Sequence, residues 1–351
     1  MYNIRNDKKI GGMLAIGFLL CASVLAQPAV KPRATMDSYL IPLNKKGATI
    51  GTVLFGHADR GRITLVSDTA RLFRIDKDGT ISLRKRKAVR DVGTHAYGIT
   101  VAVGKQYYQM ELVKDEFIRN KVVAHRGAWR KVGVMQNSVR SFQHAVELGC
   151  EASEFDVWLS KDKVVVLSHD PHIGGLSVEE SSAKELYAST LAGGDPVPAL
   201  TDFITMAKKQ NKTKMILEIK PSPTGRNTEL VDSVLSIVHR LKAQAYIEYI
   251  SFDYNVLKRI KAQDQTAKTA YLMGNKTVDE LKADGITGLD YDFYKYEADP
   301  QLLAKAKSRG LTTNVWTVNK EAALCTFLQS GVDRITTDEP ELLLEIIKKK
   351  K

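Results

Sequence analysis

Cysteine is scarce in this chain, with three residues among 351. Cys21 falls in an apolar amino-terminal run, so a folded protein would keep only Cys150 and Cys325, and neither has a metal-type spacing. Two cysteines make no disulfide framework, and we expect free thiols. The sequence also lacks a glycine-rich phosphate-binding loop and a basic stripe with interleaved aromatic residues. These absences argue against a nucleotide-binding loop and against nucleic-acid recognition.

Long apolar runs are equally few. The one candidate, GGMLAIGFLLCASVLA, follows three cations and stops at Ala26, just before Gln27-Pro28. A basic start, a short apolar middle and a small-residue end predict a secretory signal peptide over residues 1–26. A membrane anchor is the alternative, but the run is slightly short for a spanning helix. We therefore expect an exported protein, periplasmic or secreted.

Acidic residues number 40 against 52 Lys and Arg, which leaves a formal net charge of +12. A balance of this sign favours anionic ligands or proximity to a membrane surface. It does not identify the ligand, and the oligomeric state is equally open.

Residues 27–40 are rich in proline and small side chains and predict a linker. Short alternating apolar runs then follow up to Phe117, separated by turn signals such as Asp78-Gly79, and predict an all-β sandwich over residues 41–117. The run FRIDKDGTISL with HAYGITVAV resembles a cadherin-like repeat, an immunoglobulin-like sandwich. The segments HADRG and RDVG lack most of the acids by which that family binds calcium, so we expect a structural spacer, with substrate docking or adhesion as the alternative.

Residues 118–351 have a different sequence pattern, in which apolar β-branched runs alternate with helical stretches such as VRSFQHAVELG. Eight runs fit parallel strands with crossover helices: VVAH, SEFDVW, MILEIK, YIEYISF, TAYLM, GLDYDF, TNVWTV and DRITT. Such alternation predicts an α/β fold, a TIM (β/α)8 barrel. VVVLSH follows FDVWLS too closely for a parallel crossover, so we predict a β-hairpin arm with residue 159 facing 164 and residue 154 facing 169.

Carboxylates and histidines fall where barrel strands give way to loops. Glu154 and Asp156 share one face of a strand because side chains alternate with period two. Glu218 arrives on another strand, and oxygen ligands of this kind suit a hard divalent cation. His125 and His169 also end strands, at the end of a barrel where catalytic residues gather. With Arg126 and Lys220 against phosphate oxygens, the set suits phosphodiester hydrolysis by acid–base catalysis. Asp338, after the last strand, is expected to cap a helix instead.

The segment AHRGAWRKVGVMQNSVRSFQHAVELGCEASEFDVWLSKDKVVVLSHD resembles the opening signature of the glycerophosphodiester phosphodiesterase family. LEIKPS, ISFD and the stretch from GLTTNVWTVN to GVDRITTDEP resemble its later motifs, so the resemblance covers about residues 121–346. It implies a TIM barrel that hydrolyses glycerophosphodiesters to sn-glycerol 3-phosphate and an alcohol with one divalent ion, Ca²⁺ or Mg²⁺. The implied roles are acid–base catalysis by His125 and His169, metal binding by Glu154, Asp156 and Glu218, and substrate binding by Arg126, Lys220 and Trp316.

One motif departs from that family. Where its pattern has Pro-Glu-Asn-Thr, this chain has Met135-Gln136-Asn137-Ser138. Gln136 can still hydrogen-bond but lacks the charge to pair with Arg126, which leaves the phosphate clamp in question. Two alternatives therefore stay open: a related barrel phospholipase, phospholipase D-like and acting on intact lipids, and a non-catalytic surface-binding protein.

Overall fold

The computed structural model describes residues 33–55, 62–191 and 194–350, and residues 32–351 form one compact unit. The predicted signal peptide, residues 1–26, lies outside the described residues. Within the described ranges, every helix is too short or too polar to cross a bilayer.

The amino-terminal part is all β. Its strands are β1 (Ala34–Met36), β2 (Leu40–Ile41), β3 (Thr49–Phe55), β4 (Ile63–Asp68), β5 (Phe73–Ile75), β6 (Thr80–Leu83), β7 (Ala96–Val103) and β8 (Gln106–Lys114). They form two four-stranded sheets in the orders β1-β3-β6-β5 and β2-β8-β7-β4. We call this pair of sheets the amino-terminal sandwich.

Aromatic pairs join the two sheets of the sandwich. Phe73 meets Tyr97 edge to face with ring centroids 6.0 Å apart, and Phe55 meets Tyr108 at 5.6 Å. The prediction of a linker over residues 27–40 is wrong for its second half, because β1 pairs with β3 along its whole length and is buried. Residues 27–32 lie outside the described ranges, and the boundaries 41–117 and 118–351 stay predictions.

The carboxyl-terminal part alternates strands and helices. Its strands are β9 (Val122–Ala124), β10 (Ala152–Leu159), β11 (Val165–Leu167), β12 (His172–Ile173), β13 (Leu176–Ser177), β14 (Lys214–Ile219), β15 (Ile247–Ser251), β16 (Thr269–Tyr271), β17 (Gly288–Asp292), β18 (Thr312–Trp316) and β19 (Arg334–Thr337). Its helices are α1 (Val139–Leu148), α2 (Ala183–Ala188), α3 (Leu200–Ala207), α4 (Asn227–Arg240), α5 (Tyr254–Gln263), α6 (Val278–Ala283), α7 (Phe293–Ala298), α8 (Leu302–Ser308), α9 (Glu321–Ser330) and α10 (Pro340–Lys349).

Eight of these strands close into a parallel barrel in the order β9-β10-β14-β15-β16-β17-β18-β19, and β19 returns to β9. They coincide with the eight apolar runs, so the predicted TIM barrel is confirmed. The interior holds a small apolar cluster around Val123, Ala152, Ile216, Ile250 and Leu272. Alternate residues of the same strands point outward and pack against the helices, which forms the larger core.

The hairpin arm exists, but its predicted register is one residue out. Leu159 pairs with Val165 and Val157 with Leu167, so the loop has five residues and the ladder would bring residue 170 opposite 154. Ser160 causes the longer loop, since its backbone N–H donates to the Val164 carbonyl and its Oγ accepts from the Val164 N–H.

The arm has a small core of its own. Trp158, on the hairpin, packs there with buried residues that follow in the chain: Val166, Ile173, Val178, Leu186, Leu191 and Val197. This cluster is separate from the main core that joins the barrel strands to their helices.

The sandwich rests on the amino-terminal side of the barrel strands. The Ile118 N–H donates to the Lys212 carbonyl, and Asn211 Nδ2 donates to the Lys114 carbonyl. Phe117 packs edge to face on Tyr246, with centroids 5.8 Å apart. Lys212 and Asn211 come just before β14, so the opposite, carboxyl end of the barrel is left for a site.

Candidate active site

Three carboxylates converge at the carboxyl end of the barrel. Every residue of β10 is buried, because this strand has neighbours on both edges and packing on both faces. Its inward residues include Glu154 and Asp156, and the parallel register sets Asp156 directly beside Glu218 on β14. Carboxylate oxygens of the three residues lie within 4.8 Å of one another. The predicted acidic cluster is therefore present.

The three carboxylates are buried close together, and their negative charges repel one another. Burial, then the neighbouring Asp156 and Glu218 charges, raises the pKa of Glu154 well above its usual range. Burial and the Asp156 charge raise the pKa of Glu218 to about 8. Glu154 Oε1 is buried and accepts no hydrogen bond. An unsatisfied buried oxygen among mutually repelling carboxylates fits a bound divalent cation, which would relieve both penalties.

Of the three carboxylates, Asp156 has the most neighbouring groups that stabilise its ionised form. Burial raises its pKa, but Lys220, His169 and the amide of Asn137 outweigh that effect and hold the pKa below its usual range. Lys220 Nζ lies 3.0 Å from Asp156 Oδ1 and 2.9 Å from Glu218 Oε1. Lys220 thus balances part of the negative charge near Asp156 and Glu218. On the other side of the cluster, Glu154 Oε1 accepts no hydrogen bond.

Asn137 clamps Asp156 with two hydrogen bonds. Its Nδ2 donates to Asp156 Oδ2 at 2.8 Å, and its Oδ1 accepts from the Asp156 N–H at 2.9 Å. Asn137 is buried and adopts a left-handed backbone with φ of 58°. Sequence reasoning did not assign it a role, although it stands in the one polar motif that departs from the family pattern. The retained asparagine of that motif was the available signal.

The loop after β9 brings Arg126 over the cluster. The Arg126 N–H donates to Glu154 Oε2 at 2.9 Å, and Arg126 Nε lies 3.8 Å from Asp156 Oδ2. Its Nη1 donates to Gln136 Oε1 at 2.9 Å, so Gln136 still orients the guanidinium by a neutral hydrogen bond. The backbone of this loop requires glycine at position 127, because its φ is 86° and a Cβ there would lie 2.2 Å from the Ser141 hydroxyl.

His125 is held by a carboxylate that the sequence analysis assigned wrongly. His125 Nδ1 lies 2.7 Å from Asp338 Oδ1, and Asn319 Nδ2 donates to Asp338 Oδ2 at 2.7 Å. Asp338 does not cap a helix, since the residue before α10 is Glu339. Burial raises the pKa of Asp338, but His125 and Asn319 outweigh it and lower the pKa. The ionised Asp338 accepts a hydrogen bond from His125 Nδ1–H, so the lone pair or second proton of the ring lies at Nε2.

His169 has a similar but more exposed partner. His169 Nδ1 lies 2.7 Å from Asp170 Oδ1, and the Asp170 side chain is 69% exposed, against 16% for Asp338. Burial, together with Lys220 and Arg126, lowers the pKa of His169, even though Asp156 acts in the opposite direction. The ring is therefore favoured in its neutral form near neutral pH.

The predicted site residues line one small cavity of about 120 Å³. Its polar side is formed by His125, Arg126, Glu154, His169, Glu218 and Lys220. Its other side is largely apolar and includes Phe252, Leu272 and Trp316. Trp316 stacks edge to face on Phe252 at 5.5 Å and donates its Nε1 proton to the Asp290 carbonyl. Seven of the eight predicted residues thus line this cavity, and the eighth, Asp156, contacts two of them, Arg126 and Lys220.

A larger cavity of about 780 Å³ opens at the amino ends of the strands. Its charged groups mostly satisfy each other: Arg334 bonds Glu151 and Glu248 at 2.6 Å, and Lys214 bonds Glu248 at 2.9 Å. It contains neither the histidine pair nor the three-carboxylate cluster. The smaller cavity is therefore the candidate active site.

Comparisons with known proteins agree with this geometry. The chain is 24% identical over 248 residues to a glycerophosphodiester phosphodiesterase of Caldanaerobacter subterraneus, covering 66% of this chain and 99% of the relative. A crystal structure of a glycerophosphodiester phosphodiesterase from Parabacteroides distasonis is similar with a TM-score of 0.64 and 35% identity, over 67% of this chain and 99% of that one.

An Oleispira antarctica phosphodiesterase, solved in complex with the product sn-glycerol-3-phosphate, shares the fold with a TM-score of 0.58 at 22% identity, over 65% and 96% of the two chains. The model of the glycerophosphoryl diester phosphodiesterase family matches residues 125–342. That match begins at His125 and spans more than half of the sequence, so the chain belongs to the glycerophosphoryl diester phosphodiesterase family.

Proposed function

We propose that this protein is an exported hydrolase that cleaves glycerophosphodiesters to sn-glycerol 3-phosphate and an alcohol, with a divalent ion and two histidines. Family membership supports the reaction class. The Oleispira relative, solved with sn-glycerol-3-phosphate, supports the product. The single observation that supports the site assignment is that both histidines line the same cavity as Glu154 and Glu218 of the three-carboxylate cluster.

Glu154, Asp156 and Glu218 would hold the ion, and either Ca²⁺ or Mg²⁺ accepts such oxygen ligands. The bound ion would supply positive charge against the phosphate oxygens. Arg126 and Lys220 flank the same cluster and would bind the remaining phosphate oxygens. Trp316 and Phe252 would wall the glycerol portion. The cavity of about 120 Å³ suits a small polar group better than a large ligand, for which sites of roughly 300 Å³ or more are usual.

The environments of the histidines favour a division of labour. His169, whose pKa is lowered, would accept the proton of the attacking hydroxyl at Nε2, since Nδ1 faces Asp170. The attacking oxygen bonds to phosphorus as the bond from phosphorus to the alcohol oxygen breaks. His125, whose Nδ1 lies 2.7 Å from Asp338 Oδ1, would donate its Nε2 proton to that leaving oxygen. If the glycerol hydroxyl attacks first, a cyclic phosphate forms, and water then opens it.

Replacement of either histidine tests this assignment. His125→Ala and His169→Ala should each remove most release of sn-glycerol 3-phosphate from glycerophosphocholine, while thermal unfolding stays close to that of the wild type. His172→Ala is the matched control, because this exposed histidine lies three residues beyond His169 but does not line the cavity. EDTA should abolish turnover, and added Ca²⁺ or Mg²⁺ should restore it. Full activity in either alanine variant, or in EDTA, contradicts the proposal.

A second candidate, phospholipase D-like hydrolysis of intact lipids, is favoured by the apolar rim. Met273 is 51% exposed directly after Leu272 of the cavity wall, and Tyr294 is 65% exposed. The loop after β16 contacts α7, which carries Tyr294, since a Cβ on Gly274 would meet the Lys295 side chain. Turnover of vesicle lipids in preference to glycerophosphocholine would select this candidate.

A further inference from the structure

The amino-terminal sandwich carries a strongly basic surface that the proposed reaction does not use. It is formed by two exposed loops, residues 42–48 after β2 and residues 84–95 between β6 and β7. Seven exposed cations stand on them: Lys45, Lys46, Arg84, Lys85, Arg86, Lys87 and Arg90. We call these seven residues the basic loop pair. The acid in the same two loops is Asp91, so this surface holds about half of the net charge of +12.

The two loops are fixed side by side. The Asn44 N–H donates to the Val89 carbonyl at 2.8 Å, and the Gly47 N–H donates to the Lys87 carbonyl at 3.0 Å. Val89 is 3% exposed and anchors the longer loop in the sandwich core. Concentrating seven like charges on a preformed surface costs electrostatic repulsion, which a flexible tail would relieve by extending.

None of the seven side chains has an ion pair, hydrogen bond or ring contact within residues 33–55, 62–191 and 194–350. Elsewhere on the described surface, cations such as Lys212 and Lys305 do reach a carboxylate. The unneutralised charge of the basic loop pair is therefore available to a partner outside the chain.

We propose that the basic loop pair docks the protein on an anionic phospholipid surface. Clustered lysines and arginines bind such surfaces through the negative surface potential. Val92, on the same loop, is 71% exposed and could enter the interface between water and acyl chains. Single-stranded nucleic acid fits less well, because residues 42–48 and 84–95 contain no Phe, Tyr or Trp on which a base could stack. The proposal is independent of the catalytic assignment.

Vesicle co-sedimentation tests the proposal. The protein should start at Gln27, because the apolar run before it would insert into vesicles by itself, and the compact unit 32–351 is retained. Vesicles of equimolar phosphatidylcholine and phosphatidylglycerol should bind the protein, and pure phosphatidylcholine vesicles should not. Binding should disappear in about 0.5 M NaCl, where the Debye length falls to about 4 Å.

Charge reversal tests whether the basic loop pair is the surface that binds the vesicles. The triple variant Lys85→Glu, Arg86→Glu, Lys87→Glu should bind at least about a hundredfold more weakly, since each lost near-surface cation costs about fivefold and the three new carboxylates add repulsion. The control changes the net charge equally by reversing three exposed helix lysines whose side chains make no ion pair or hydrogen bond with the described part of the chain: Lys184→Glu, Lys282→Glu and Lys348→Glu. It should bind within a few-fold of the wild type.

The double variant Lys45→Gln, Lys46→Gln, on the other loop, should lose about 25-fold on the same scale, and it covers the case in which the triple variant fails to fold. Turnover of glycerophosphocholine by the variants should match the wild type. Equal losses in the triple variant and its control, binding to pure phosphatidylcholine, or tighter binding to single-stranded DNA than to anionic vesicles would each overturn the proposal.

Discussion

Replacing Asp338 by asparagine isolates the carboxylate that holds His125. Asn319 Nδ2 donates to Asp338 Oδ2, so the new amide would keep its oxygen towards Asn319 and turn its NH2 towards His125 Nδ1. That arrangement opposes a proton on Nδ1 and therefore opposes the imidazolium that would serve as the acid. A charge-assisted hydrogen bond contributes about 1.5–3 kcal/mol, so kcat should fall about 10- to 140-fold with a small change in KM.

Asp170→Asn is the matched control. The substitution is the same and the distance to its histidine is also 2.7 Å, but the Asp170 side chain is 69% exposed. Exposed ion pairs contribute about 1 kcal/mol or less, so kcat should fall less than about fivefold. Both variants should be assayed by release of sn-glycerol 3-phosphate, with thermal unfolding measured in parallel. Unchanged turnover in a folded Asp338→Asn protein, or a larger loss at Asp170, would refute the reasoning.

Three further predictions concern the ion, the core and pH. Glu218→Gln should weaken Ca²⁺ or Mg²⁺ binding, measured by titration calorimetry, by more than the roughly 10- to 100-fold typical of losing an outer-shell partner; unchanged affinity would exclude Glu218 as a ligand. Phe155→Ala, which empties a buried site 4.6 Å from the Phe203 ring, should lower the free energy of unfolding in urea by about 3–5 kcal/mol, and a loss below about 1 kcal/mol would contradict the packing. Burial raises the pKa of Asp290 to about 7, whereas an unfolded carboxyl titrates near 3.9, so its contribution is complete below about pH 4 and is lost as the pH rises through 7. Between about pH 4 and pH 7, the free energy of unfolding of the wild type should fall by on the order of 4 kcal/mol relative to that of Asp290→Asn. If the free energies of unfolding of the two proteins change in parallel with pH, this prediction is wrong.

The barrel could be predicted because its strands are buried on both faces and are therefore apolar along their length. SEFDVW carries two carboxylates, and period-two alternation was enough to put Glu154 and Asp156 on one face. Their proximity to Glu218 required only that two successive parallel strands be neighbours, as they are.

The hairpin register could not be predicted in the same way. It depends on a side-chain hydrogen bond of Ser160 and on Lys163 adopting a left-handed backbone with φ of 66°, which apolar alternation does not encode. Asp338 was missed because its partner lies 213 residues earlier in the chain. Their contact follows only from the closure of the barrel, where Ala124 pairs with Thr337 and the next residue of each strand becomes a neighbour.

The separate core of the hairpin arm has an evolutionary consequence. Val165 and Leu167 of the arm belong to the main core, but the later members of the small cluster, from Ile173 to Leu191, do not, so sequence changes at those later positions need not disturb the helices that surround the barrel. The arm also ends in the loop that carries His169. Sequence changes between Ile173 and Leu191 could therefore reshape the surface that follows His169, while the carboxylate cluster on the strands beneath stays in place.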